Sequence, residues 1–220
     1  MKFVWLIIAM AVLSACAPLS ESRQAGNIQQ DCGEAHDGDT AMRLDVVRKL
    51  RDQGRLYAAL AHLDDVETNA LQARYLRADI LRQSGRSAEA QPIYESLLET
   101  CLKGEAHHGL GLIAGRDGQL NNAVSELAQA ARLLPVESRV RNDYGYALLL
   151  KGDLETARRE FLTAIELDED ARLAETNLVI LLFMSGEQQQ AEAFARKVKM
   201  DAEMLTELEQ QAEQLARATP

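Results

Sequence analysis

Aromatic residues are scarce in this chain, only 5% of its 220 positions, and there are only 4 prolines. A β-sandwich needs frequent turn punctuation and strands rich in aromatic and β-branched residues, so this composition argues against one. Positive charge is in deficit too: 24 Lys and Arg stand against 34 Asp and Glu, a net charge of −10. With little to offset repulsion from phosphate, the balance argues against nucleic-acid binding. Long apolar runs are missing, since the run Phe3 to Leu13 falls short of the roughly 20 residues that cross a bilayer as a helix. There is no Gly-x-Ser-x-Gly elbow, no phosphate-cradling glycine loop and no His-Glu-x-x-His helix. No catalytic residue, cofactor or metal is therefore assigned. What is present is 47% hydrophobic residues in short periodic stretches, which suits a folded all-α chain and not a disordered one.

The N-terminal segment reads as an address. A Met1–Lys2 start, the apolar run to Leu13 and the small residues after it fit a signal peptide over 1–15. The sequence Leu13-Ser14-Ala15-Cys16 resembles the lipobox of bacterial lipoproteins. That resemblance implies that Cys16 becomes the acylated mature N-terminus, carrying a diacylglycerol and an amide-linked chain such as palmitate. Several acyl chains, at roughly 0.8 kcal/mol per buried CH₂, make a stable anchor. Ala17, and not Asp, follows the cysteine, which by the same resemblance directs the protein to the outer membrane, facing the periplasm. The membrane is then reached through the lipid alone. Residues 16–39 are polar, glycine-bearing and aperiodic, and read as a lipidated tether.

Beyond the tether the chain repeats. Gly54, Gly85, Gly118, Gly152 and Gly186 are spaced by 31, 33, 34 and 34 residues, and an alanine follows each five positions later: Ala59, Ala90, Ala123, Ala157 and Ala191. A fixed period near 34 denotes a repeat architecture. The clearest unit, residues 138–171, resembles the tetratricopeptide (TPR) pattern through Tyr144-Gly145, Leu148, Gly152, Ala157, Phe161 and Ala164. The glycine after the first helix supplies a left-handed turn, while Gly145 and Ala157 let two antiparallel helices approach closely. Phe161 fills the space between them. One hairpin cannot bury its apolar face alone, so the units must stack. The expected fold is a right-handed superhelical TPR solenoid, with a degenerate unit at 40–70 and units at 71–103, 104–137, 138–171 and 172–205. A capping helix over 201–217 follows, with Leu205, Leu208, Ala212 and Leu215 on one face. The pattern departs from the family at its first-helix Trp, replaced by Arg74, His107, Arg141 and Glu175, and only Pro135 remains of the unit-ending prolines.

Two cysteines remain besides Cys16. In an oxidising compartment Cys32 and Cys101 invite a disulfide that staples the tether to the end of the second unit; the alternative is two unpaired thiols. Cys101, Glu105, His107 and His108 are close in sequence, but adjacent histidines point about 100° apart on a helix and the spacing matches no zinc motif. A solvated or groove-facing histidine pair is the simpler reading.

The TPR resemblance implies a concave surface lined by the first helix of each hairpin. It collects Tyr75, Leu76, Asp79, Arg82, His108, Leu112, Arg116, Asn142, Tyr146, Leu149, Asn177, Ile180 and Phe183. In peptide-binding members an Asn at the Asn177 position holds ligand backbone. The lysines of the family's carboxylate clamp are not reproduced, so the surface suits an amphipathic helix or an extended apolar peptide. Leu149 and Ile180 equally suit packing against neighbouring helices. The segments from Asn142 to Leu148 and from Ala174 to Leu178 resemble the TadD-type TPR lipoproteins of tight-adherence (Flp) pilus assembly, related in kind to the TPR pilotins of type IV pili. This resemblance implies a non-enzymatic lipoprotein that holds a secretin or another pilus-assembly subunit. The alternative is a periplasmic TPR scaffold for peptidoglycan hydrolases or other envelope complexes.

Overall fold

The computed structural model describes residues 38–66 and 70–218. The signal peptide, Cys16, Cys32 and nearly all of the tether lie outside the described residues. Within them the chain forms eleven helices and no strand: α1 Gly38–Asp52, α2 Leu56–Asp64, α3 Leu71–Gln83, α4 Ser87–Glu95, α5 Lys103–Arg116, α6 Leu120–Leu133, α7 Ser138–Lys151, α8 Leu154–Leu167, α9 Arg172–Met184, α10 Gln188–Lys197 and α11 Ala202–Ala218. Helix α1 takes in two residues assigned above to the tether, where Asp39 in its first turn pairs with Arg43 at 2.8 Å.

The five spaced glycines are the five glycines with positive φ among the described residues, between +71° and +84°, and each closes the first helix of a hairpin. The turn is the same each time. After α7, for example, the Gly152 amide donates to the Leu149 carbonyl and the Asp153 amide to that of Leu148, capping carbonyls that the helix leaves orphaned. The five alanines that follow are all fully buried. Four residues further on, Leu63, Tyr94, Leu127, Phe161 and Ala195 are buried as well, filling each hairpin from its second helix. A Cβ on Gly145 would stand 2.8 Å from Phe161, so only glycine permits that approach.

Successive hairpins stack chiefly by packing each second helix on the first helix of the next unit, with the first helices α1, α3, α5, α7 and α9 each also touching the next. The second helices make no comparable contacts with one another, so the odd-numbered helices form the inside of the curve. Helix α11 lies against α9, buries Leu208 and Ala212, and turns Glu203, Glu207 and Glu213 outward. Helix α4 is shorter than α6 or α8. After Glu95 the hydroxyls of Ser96 and Thr100 bond to the carbonyls of Ile93 and Leu97, a local competition that ends the helix and leads into Cys101. The apolar core runs as one cluster from Leu44 to Ile113 and another from Leu148 to Ala212, with a smaller group of Ala130, Ala131 and Val140 between them. The break between the two large clusters falls at the seam between α5 and α7.

Candidate protein-binding trough

Two cavities open along that seam on the inner layer of helices, and Leu112 lines both. The larger, about 480 Å³, is bordered by Tyr75, Asp79 and Arg82 of α3, by Glu105 and His108 of α5 and by residues at the start of α7. The smaller, about 270 Å³, is mostly apolar and lies between Gly111, Gly115, Leu120 and Leu127 on one side and Tyr146, Ala147 and Leu150 on the other.

Most polar groups of this layer are committed to one another. Asp79 is buried and accepts from Arg51 at 3.2 Å, Arg82 at 2.6 Å and Gln83 at 2.9 Å, tying α1 to α3. Beside it, burial first and the Asp79 charge second push the Tyr75 hydroxyl to about 12, so that it stays neutral. Further along, Asn177 Nδ2 donates to Asn142 Oδ1 at 2.8 Å, Asn142 Nδ2 donates to Asp143 at 3.1 Å, and Asp143 pairs with His108 Nε2 at 2.7 Å. This chain of contacts runs from α9 through α7 to α5. One carboxylate stands apart: Glu105 Oε2 is buried without a hydrogen-bond partner among the described residues. Burial, followed among the raising influences by the charge of Glu137, holds its carboxyl above the usual range; its own backbone and His108 act in the opposite direction.

The residues assigned to the groove from sequence divide accordingly. Tyr75, Arg82, Leu112, Arg116, Tyr146 and Phe183 keep part of their surface open. Leu76, Leu149 and Ile180 are no more than 1% exposed and belong to the core, as register alone could not decide. Asn142 and Asn177 are buried and spend their amides on each other, and Asp79 and His108 are likewise buried in pairs. The two histidines diverge: His107 turns to Glu126 of α6 at 2.7 Å, while His108 pairs with Asp143 of α7 and borders the larger cavity. Cys101, Glu105 and the two histidines therefore do not converge on one point. Cys101 is disulfide-bonded, and Cys32 falls outside the described residues. Sequence reasoning missed Glu105 and Gly115 as trough residues. Glu105 was legible as the acidic residue one turn before His108, and Gly115 as a break in register, taken up below.

Comparison with known proteins agrees with this architecture. A tetratricopeptide repeat profile matches residues 71–101 and 138–170. The TPR repeat-containing protein PA4299 of Pseudomonas aeruginosa is 42% identical over 195 residues, spanning 89% of this chain and 78% of that one. Among solved structures, MamA from Desulfovibrio magneticus RS-1 superposes with a TM-score of 0.56 at 18% identity, covering 80% of this chain and 98% of the other. YrrB, described as a TPR protein with an unusual peptide-binding site, has a TM-score of 0.56 at 20% identity, over 76% and 90% of the two chains. At such identities the structural likeness speaks for the fold alone. The repeat glycines, the buried alanines and the extended identity to a TPR relative lead to one conclusion: the chain belongs to the tetratricopeptide-repeat family and has the fold of a protein-interaction scaffold.

Proposed function

We propose that this protein is an outer-membrane lipoprotein, anchored through Cys16 and facing the periplasm, whose inner trough holds a segment of a secretin or another subunit of a Flp-type pilus. The observation that carries the reading is the trough itself. It is a cleft along the α5–α7 seam where Leu112 and Tyr146 stay partly open beside an apolar cavity, while His108, Asp143, Asn142 and Asn177 are already paired with one another. A surface of that kind favours apolar anchors from a protein segment over a small polar ligand. The lipobox-like Leu13-Ser14-Ala15-Cys16 and the two TadD-like segments supply the compartment and the partner class.

The test is Leu112→Ala combined with Tyr146→Ala in the native host. Loss of two part-exposed apolar anchors is expected to remove about 2–4 kcal/mol of binding, so secretin multimers should disappear from the outer membrane while the lipoprotein keeps its abundance and helicity. Secretin assembly at the parental level would sink the reading. Co-purification of a peptidoglycan endopeptidase, with secretin assembly intact, would favour the hydrolase scaffold instead.

A further inference from the structure

The apolar cavity at the α5–α7 seam has a cause that can be read from the repeat. Three residues before each turn glycine, on the inner helix, the units carry Arg51, Arg82, Gly115, Leu149 and Phe183. Four of these are large, and one is glycine. The other glycines inside α5 have internal reasons. A Cβ at Gly104 would stand 2.7 Å from Leu134, one at Gly111 would stand 2.7 Å from Leu127, and one at Gly109 would enter the ring of Tyr94. Gly115 has none, since its Cβ would meet only the Ala123 methyl, at an ordinary 3.7 Å. Glycine is a poor helix former, so its presence in an exposed, unobstructed helical position leaves space without helping the fold. That space is the apolar cavity. Arg116 borders it but carries its guanidinium away, donating to the Arg82 carbonyl at 3.4 Å over the Gly85 turn. A cavity of about 150 Å³ takes a benzene ring, so about 270 Å³ takes one large apolar side chain.

The adjoining cavity differs in charge. Of the charged groups that border it, Asp79 is neutralised by Arg51 and Arg82, and His108 is paired with Asp143. Glu105, Glu137 and Asp168 remain, against Arg139. Among the described residues neither Glu105 nor Glu137 has an ion-pair partner, and Glu105 Oε2 is buried with no donor. A cation entering there would satisfy that oxygen and relieve the repulsion between the two glutamates. The net charge of −10 draws basic segments towards the protein at long range.

We propose that the trough recognises a partner segment carrying one large apolar side chain, seated at Gly115, and a nearby Lys or Arg, seated against Glu105 and Glu137. This rests on the reading of the trough as the docking surface and adds the chemistry of what docks. Because Leu112 lines both cavities, one short segment reaches both.

The experiment selects a phage-displayed library of random twelve-residue peptides on the full chain. Enriched peptides should pair an apolar residue with Lys or Arg a few positions away. The best one, made synthetically and titrated by fluorescence anisotropy, should lose about tenfold or more in affinity for Gly115→Leu, which fills the cavity. Glu105→Gln with Glu137→Gln should weaken the Lys-bearing peptide and leave its Lys→Met counterpart unchanged. Gly115→Leu should melt no lower than the parent; should it fold poorly, Gly115→Ala carries the same comparison with a smaller loss. Absence of enrichment, enrichment of acidic peptides, or unchanged affinity in the folded Gly115 variant overturns the proposal. Secretin plays no part in this selection, so the peptide chemistry and the pilus assignment fail separately.

Discussion

Any side chain larger than hydrogen at Gly109 would place its Cβ inside the ring of Tyr94, a residue with 1% of its surface exposed and neighbours on every side. Tyr94 cannot retreat, and its ring also meets that of Tyr75 edge-on at 6.4 Å. Gly109→Ala should therefore destabilise the protein by about 1–3 kcal/mol through overpacking, read from urea denaturation. At Gly115 the same substitution meets no obstacle and should stabilise it by about 0.5–1 kcal/mol through helix propensity. Opposite signs for one chemical change six residues apart on one helix check the register of α5. Equal losses at both positions would show that α5 is placed wrongly. The turn from α10 to the capping helix α11 is left-handed as well, but there Lys199 takes it, with φ of +59°, whereas the hairpin turns use glycine.

The elements are joined by polar contacts as well as by apolar burial. The Asn177–Asn142 hydrogen bond spans neighbouring first helices, and removing one amide leaves the other buried without its partner. Asn177→Ala should cost about 1–3 kcal/mol. A stacked repeat transmits such a loss to adjacent units only, so hydrogen exchange should accelerate in α7, α9 and α11 and stay unchanged in α1 to α3. Uniform acceleration along the chain would mean that the molecule unfolds as one cooperative block. The same contact explains why the register assignment of Asn177 to a ligand was incomplete. Periodicity identifies which face of α9 the residue occupies, but the depth of that face depends on how closely α7 approaches.

For the whole molecule, the proposed trough and the proposed acylation of Cys16 answer separate questions, what is bound and where, and are tested separately. Cys16→Ser should leave the helical content unaltered and move the protein from the membrane fraction to the soluble periplasmic fraction, followed by fractionation and by acyl-chain mass spectrometry. Membrane association that persists without acylation would refute the lipid anchor. No helix among the described residues is long and apolar enough to cross a membrane, so the solenoid offers no spanning segment of its own.

The amino-acid sequence by itself determined the repeat. A glycine at near-constant intervals, with an alanine five positions later, is a local requirement of a left-handed turn and a close helix crossing, and local requirements leave a trace at each unit. The polar outside of α11 was legible for the same reason, from its 3.6-residue period. Only the tertiary structure decided which inner-face residues are open. Tyr146 and Ile180 occupy equivalent places, six residues before their turn glycines, yet the first lines a cavity and the second is 1% exposed. The difference lies in what the neighbouring helices bring: α11 closes over α9 at the end of the stack, whereas α5, before α7, carries a glycine where other units have a large side chain. Burial depends on the distance between neighbouring units, and no single unit encodes that distance.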